Sequence, residues 1–281
     1  MSDSFQQALS DTLPILKKIR GGFGTSPTAS LQAMEALQSL ATRRPMSVSK
    51  EVVEKTPPSM VREEPVPHRQ EANATDSGTL AALREAALVC TKCPHLVRSR
   101  TQVVFGVGNP KAELLFVGEA PGADEDEQGE PFVGKAGQLL TKIIQAMGFS
   151  RDDVYIANVL KCRPDMPAGV SGNRKPKPEE MQTCLPWLEK QIALIKPRAM
   201  VALGATAIEG LLGNTEPVGR LRGRWLDFQG IPVMTTYHPA YLLRNQSITE
   251  KRKVWEDMLL VLEKLEKPIT EKQRQFFTKS G

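Results

Sequence analysis

The chain contains no apolar run of about 18 residues, which argues against a membrane span. Its first residues lack a basic stretch followed by an apolar one, so no secretory signal is read and a cytoplasmic location is expected. No G-x-x-x-x-G-K-[ST] motif occurs, which disfavours P-loop nucleotide chemistry. No internal repeat is visible. Cysteine is scarce, with four residues at 90, 93, 162 and 184. Without a secretion signal, a disulfide framework is disfavoured. Four is also the ligand count of a tetrahedral zinc site or a cubane iron–sulfur cluster. Histidine is scarcer still, with three residues, of which His68 lies in a polar, proline-rich stretch.

What is present points to a basic α/β domain behind a long extension. The net charge is +5 over 281 residues. Residues 1–80 carry as many acidic as basic side chains, so the whole excess falls in residues 81–281. A basic folded part suits a polyanion, and nucleic acid is the commonest one. Phe5, Leu9 and Leu13, then Leu31, Met34, Leu37 and Leu40, suggest two weak helices. Residues 45–78 are rich in Pro, Ser, Thr and charge, without an apolar period. We therefore read 1–78 as a largely disordered extension, 79–267 as the folded domain and 268–281 as a tail.

In that domain, strands are expected at Glu113–Gly118, Val154–Leu160, Ala199–Leu203 and Val233–Tyr237. Helices are expected at Leu80–Val89, Gly137–Met147, Glu179–Ile195, Ala205–Leu212 and Glu250–Leu265. Alternation of this kind argues a parallel sheet covered on both faces, with ligands at the carboxyl ends of its strands.

Four groups of residues carry chemistry. Cys90-x-x-Cys93 lets two sulfurs face one metal centre; Cys162 and Cys184 stand singly, and spacing alone leaves zinc and iron–sulfur both open. After the first strand, residues 118–134 form an acidic, glycine-containing loop that lets backbone approach a flat ligand. Within it, Phe132 stands between Pro131 and Val133 as a stacking platform or a plain core ring. Asn158 interrupts an apolar strand, and its adjacent donor and acceptor match a nucleobase edge as well as they would cap a loop. His238-Pro239 follows the fourth strand.

Gly118-Glu-Ala-Pro-Gly122, Pro131-Phe-Val-Gly134, Asn158-Val-Leu-Lys-Cys-Arg-Pro164 and His238-Pro-Ala-Tyr-Leu-Leu-Arg244 together resemble, in order, the motifs of family 4 uracil-DNA glycosylases. The cysteines fall in the matching places, and the resemblance covers residues of about 80–265. It implies a three-layer α/β/α sandwich with a central four-stranded parallel sheet. It implies a [4Fe–4S] cluster on Cys90, Cys93, Cys162 and Cys184, with a structural role. It also implies hydrolysis of the N-glycosidic bond of uracil in DNA, leaving an abasic site for base excision repair.

The residue roles follow from the same resemblance. Phe132 stacks on an extruded uracil, Asn158 reads its Watson–Crick edge, and His238 donates a hydrogen bond to O2. Gly118 and Ala120 line the pocket, and Ala120 cannot position the attacking water, which leaves Glu119 as the first candidate. Related enzymes place a tyrosine against C5 to exclude thymine; here the turn has Gly122, and Glu125 in the acidic loop is the substitute. Arg244, with Leu242 and Leu243, lies in the DNA-inserting loop. Arg220, Arg222 and Arg224 read either as phosphate contacts or as a solvated face. The segment between Cys162 and Cys184 reads as a basic insertion, a DNA contact or a surface loop.

Gln273-Arg-Gln-Phe-Phe277 resembles a sliding-clamp docking peptide, against a helix end whose Phe pair packs on the domain. The expected partner is uracil-containing DNA, for a monomer. A non-catalytic iron–sulfur or zinc DNA-binding accessory protein is the alternative. A covalent uracil-binding relative is disfavoured because Gln128-Gly-Glu-Pro-Phe132 lacks the histidine that marks it.

Overall fold

The computed structural model describes residues 79–278, except 168 and 171. The extension expected over 1–78 lies outside the described residues. In chain order the elements are α1 (Leu80–Leu88), α2 (Pro94–Ser99), β1 (Val107–Gly108), β2 (Leu114–Gly118), α3 (Ala123–Gln128), α4 (Lys135–Ala146), β3 (Tyr155–Asn158) and α5 (Pro178–Ile195). They continue with β4 (Ala199–Leu203), α6 (Ala205–Leu212), α7 (Val218–Leu221), β5 (Trp225–Phe228), β6 (Ile231–Thr236), α8 (Pro239–Arg244), α9 (Ile248–Lys264) and α10 (Glu271–Arg274).

The strands form one sheet in the order β1-β3-β2-β4-β6-β5. The inner four, β3, β2, β4 and β6, are parallel. Two short antiparallel strands, β1 and β5, extend the expected sheet at its edges. Every residue of β2, β3 and β4 is buried, as a parallel sheet covered on both sides requires.

Period-2 alternation divides the core into two layers. Leu115, Val117, Tyr155, Ala157, Met200 and Ala202 face Met181, Leu188 and Ile192 of α5 and Ala207, Ile208 and Leu211 of α6. Leu114, Phe116, Ile156, Val201 and Met234 face Leu140 and Ile144 of α4 and Trp255, Met258 and Leu262 of α9. The sandwich is therefore α/β/α. No helix among the described residues is long and apolar enough to cross a membrane.

Caps fix the ends of the outer helices. The Thr79 hydroxyl accepts from Ala82 N at 3.1 Å, and the Ser247 hydroxyl accepts from Glu250 N at 3.2 Å. The acidic stretch after β2, expected as a loop, is the short helix α3. Asp124, Glu125 and Asp126 occupy its first turn, where the helix dipole favours negative charge.

Sequential strands β2 and β3 lie side by side, and β4 joins on the opposite edge of β2. The chain thus changes direction across β2. The crevice outside the carboxyl ends of β2, β3 and β4 is where such a sheet binds ligands.

Candidate active site and candidate metal centre

The last residues of β2 and β3 pair across the ladder, Gly118 with Asn158. A Cβ on Gly118 would lie 2.3 Å from Asn158 Oδ1 and 2.5 Å from Phe132 Cζ. An amide and an aromatic ring thus meet at one point, and glycine is what leaves room for both. The Phe132 ring lies 5.6 Å from the His238 ring, centroid to centroid, with the planes 32° apart. Phe132, Asn158 and His238, distant in sequence, converge at the ends of the parallel strands.

Asn158 is 2% exposed, and its Oδ1 is buried with no hydrogen-bond partner. An unpaired buried acceptor costs about 1–3 kcal/mol, so it selects a ligand that donates there. His238 caps α8: its Nδ1 accepts from Ala240 N at 3.1 Å. That bond places the ring proton of the neutral imidazole on Nε2. Burial lowers the His238 pKa to about 4, and the charge of Arg244 adds to the effect. The imidazole is therefore a neutral donor near pH 7.

Other expected residues have different placements. The Glu125 carboxylate accepts from Gly122 N at 3.0 Å, Val133 N at 3.0 Å and Gly134 N at 2.9 Å, bracing the loop that carries Phe132. Glu119 is half-buried just past β2, and burial raises its carboxyl pKa against the lowering effects of Thr206 and Lys175. Thr206 lies in the first turn of α6, whose cap Gly204 packs on His238: a Cβ there would fall 2.9 Å from His238 Cβ. Ala120 packs against the cluster of Leu96, Val103, Leu160, Cys162 and Cys184. Leu242 is buried, whereas Leu243 and Arg244 are exposed at the end of α8. Arg220 and Arg224 are exposed. Arg222 is half-buried and engaged inside the protein: its Nη2 donates to Asp257 Oδ1 at 2.8 Å and also to the Lys253 carbonyl.

The four cysteines, all free, line one cavity with Leu96, Arg100 and Trp187. Cys90 follows α1, Cys93 caps α2, Cys162 follows β3 and Cys184 lies in α5. Burial raises the Cys93 and Cys162 thiols and pushes Cys184 up to about 12. Donors are aimed at the sulfurs: Arg100 Nη1 at Cys162 Sγ, 3.1 Å, and Lys161 N at Cys184 Sγ, 3.2 Å. The indole Nε1 of Trp187 is buried without an acceptor. Soft ligands, converging donors and an orphaned N–H fit a sulfur-rich anionic centre.

Among the described residues, the set of three or more His, Cys, Asp or Glu with ligand atoms all within 4.8 Å of one another is His95, Asp165 and Glu180. The trio's charge is met by Arg174, whose Nη2 bonds Asp165 Oδ1 and lies 2.6 Å from Glu180 Oε1. This network fastens part of the expected basic insertion onto α5, so Arg174 is committed inside the protein.

Lys161, 1% exposed, bridges the two centres. Its Nζ donates to the Asn158 carbonyl at 2.9 Å and to Gln191 Oε1 at 2.5 Å, and burial lowers its pKa to about 7. Sequence reading passed over Lys161, Arg100 and Trp187. Lys161 adjoins Cys162 and Trp187 stands close after Cys184, which by itself does not separate a ligand's neighbour from a surface residue; Arg100, a full helix away from Cys93, carried no such signal.

The tail is docked. Trp255 Nε1 donates to the Gln273 carbonyl at 2.5 Å, Gln273 Nε2 donates to the Ala146 carbonyl at 2.9 Å, and Phe276 lies 5.2 Å from the Trp255 ring. Phe277 remains exposed.

Fold and site define an α/β protein that gathers an aromatic ring, a buried amide and a neutral imidazole at the carboxyl ends of its parallel strands, beside a four-cysteine centre. Residues 105–259 match the model of the uracil DNA glycosylase superfamily. The chain is 44% identical over 195 residues to the type-4 uracil-DNA glycosylase of Thermotoga maritima, covering 68% of this chain and 91% of that protein. It is 44% identical over 179 residues to the type-4 enzyme of Pyrobaculum aerophilum, covering 60% and 87%. It is 42% identical over 170 residues to that of Archaeoglobus fulgidus, covering 58% and 82%. The chain belongs to the uracil DNA glycosylase superfamily.

Proposed function

We propose that the chain hydrolyses the N-glycosidic bond of uracil in DNA, leaving an abasic site. The observation that carries this reading is the buried, unpartnered Asn158 Oδ1 beside the Phe132 ring. Uracil presents an N–H at N3, which satisfies that acceptor; cytosine presents a lone pair there and leaves it orphaned.

The base leaves the stack and enters the pocket. Phe132 stacks on its face, and Gly118 and Ala120 line the entry turn. Cleavage develops negative charge on uracil O2, and the Nε2–H of His238 is the donor for it. Because Nδ1 is engaged by Ala240 N, the ring neither rotates freely nor changes tautomer. Water then attacks the sugar. Glu119 is the group proposed to position it, supported by its half-buried carboxyl at the end of β2. Glu125 restricts space at C5 through the turn it braces. Leu243 and Arg244 are the exposed pair available to fill the gap in the duplex.

The cysteine centre holds a [4Fe–4S] cluster in this proposal. The donors aimed at Cys162 and Cys184 and the unpartnered Trp187 N–H support a sulfur-rich anionic group there. When bound, the cluster supplies a structural cross-link between the start of the domain and the Cys162–Cys184 segment. Arg100 and Lys161 offset its charge.

The proposal includes a cytoplasmic monomer, with residues 79–267 as the catalytic domain and uracil-containing DNA as partner. A sliding-clamp contact through Gln273–Phe277 requires that segment to leave α9 and α4. Incubation with a single-uracil oligonucleotide followed by alkali tests the activity. Strand cleavage at the uracil is expected; an intact strand with iron-loaded protein overturns the reading in favour of a non-catalytic DNA-binding protein.

A further inference from the structure

We propose that Arg151 is a positioning residue for base capture: it holds the Phe132 backbone in the left-handed turn from which the ring faces the pocket. The inference rests on the reading of Phe132 as the stacking platform.

Phe132 has φ of 56°, a conformation L-residues with bulky side chains seldom adopt. Such a turn persists where its surroundings over-determine it. Here the peptide groups on both sides of Phe132 are gripped. Glu125 Oε1 takes the N–H groups of Val133 and Gly134. From the other side, Arg151 Nη1 donates to the Phe132 carbonyl at 3.1 Å, and Nη2 donates to the Pro131 carbonyl at 2.9 Å.

Arg151 Nη1 also reaches Thr141 Oγ1, at 3.2 Å, which ties the guanidinium to α4. On the same helix, a Cβ at Gly137 would fall 1.9 Å from the Phe132 carbonyl carbon and oxygen, so α4 packs directly on the turn. Arg151 is half-buried, in the turn between α4 and β3. A planar fork of donors spans two adjacent carbonyls; a lysine ammonium is a single point charge on a flexible stem. Nothing else about the turn Ser150-Arg-Asp-Asp153 requires an arginine, because Asp153 closes it with the Ser150 N–H and hydroxyl, both at 2.7 Å.

The competing possibility is that Arg151 merely braces the domain. A double-mutant cycle separates the two, because a residue acting through Phe132 loses its effect once the ring is gone. The iron-loaded full chain is assayed for uracil release from a single-uracil oligonucleotide as Arg151→Met, Phe132→Leu and the pair. Arg151→Met is expected to lower kcat/KM by about 10- to 100-fold, the scale of a small misplacement at a reacting site. In the Phe132→Leu background the same change is expected to cost less than about threefold. An equal loss in both backgrounds, or no loss in either, overturns the inference. If Arg151→Met does not yield folded protein, Arg151→Lys carries the same cycle with the same criterion. Wild-type turnover in Phe132→Leu itself would instead sink the stacking reading and leave Arg151 without a role.

Discussion

At the scale of single residues, the chemistry turns on what each polar atom lacks or already holds. His238 spends its Nδ1 on the Ala240 N–H, so its Nε2–H is free for a ligand. Protonation would make both nitrogens donors and remove that cap. His238→Ala is expected to reduce kcat by about 100- to 1,000-fold, the range for removing one charge-stabilising donor, with iron content unchanged. Turnover within a few-fold of wild type would remove the role.

The depressed His238 pKa also sets a pH dependence. The folded value is about 4, below the ordinary 6.5, so the unfolded chain binds more protons between those limits. Stability from this group is complete above pH 6.5 and is lost as pH falls toward 4, by at most about 3 kcal/mol. Melting temperatures across that range should fall more steeply in wild type than in His238→Ala. Parallel curves would show that the imidazole is not held neutral by burial.

At the scale of elements, the site is made by where strands end. Gly118 closes β2 beside Asn158 at the end of β3, and His238 opens α8 two residues after β6. Gly118→Ala drives a methyl into Asn158 Oδ1 and the Phe132 ring. It should abolish detectable uracil release while leaving a folded, iron-containing protein; ordinary turnover in this variant would contradict the close packing.

The end of β6 is pinned from α9, where fully buried Asp257 accepts from Thr236 Oγ1 at 2.6 Å and from Arg222 Nη2 at 2.8 Å. Asp257→Ala strands the half-buried Arg222 and should destabilise the domain by about 3–5 kcal/mol in denaturant unfolding. A cost below about 1 kcal/mol would show that the pair is idle. β4 was legible to the residue, because Ala199–Leu203 is an apolar run stopped by Arg198 and Gly204. β1 has two residues, and β5 is half-exposed and carries Asp227, so neither left an apolar pattern. α3 hid behind its charges between Gly122 and Gly129. In the site, Phe132, Asn158 and His238 stood out through motif order. Arg151 did not, because an arginine among Ser150, Asp152 and Asp153 reads as solvated surface, and only the folded turn of Phe132 gives it two carbonyls.

At the scale of the whole molecule, two centres share one strap. Residues 158–162 run from the Asn158 amide to the Cys162 sulfur, and Lys161 ties the strap to α5 through Gln191. The C-terminal segment closes the opposite layer over Trp255. Ending the chain after residue 267 removes Gln273 and Phe276 from Trp255 and should lower Tm by several degrees with turnover nearly unchanged. An unchanged Tm would mean that the docked tail contributes nothing to stability.

The central claim is that a buried amide beside an aromatic ring reads one extruded pyrimidine. Its most direct measurement is base release from matched uracil and cytosine oligonucleotides by wild type and Asn158→Ala, both iron-loaded. The account predicts a wild-type preference for uracil of roughly 10,000-fold or more, collapsing in Asn158→Ala because uracil release falls. Asn158→Ala releasing uracil at the wild-type rate, with the preference intact, would contradict it.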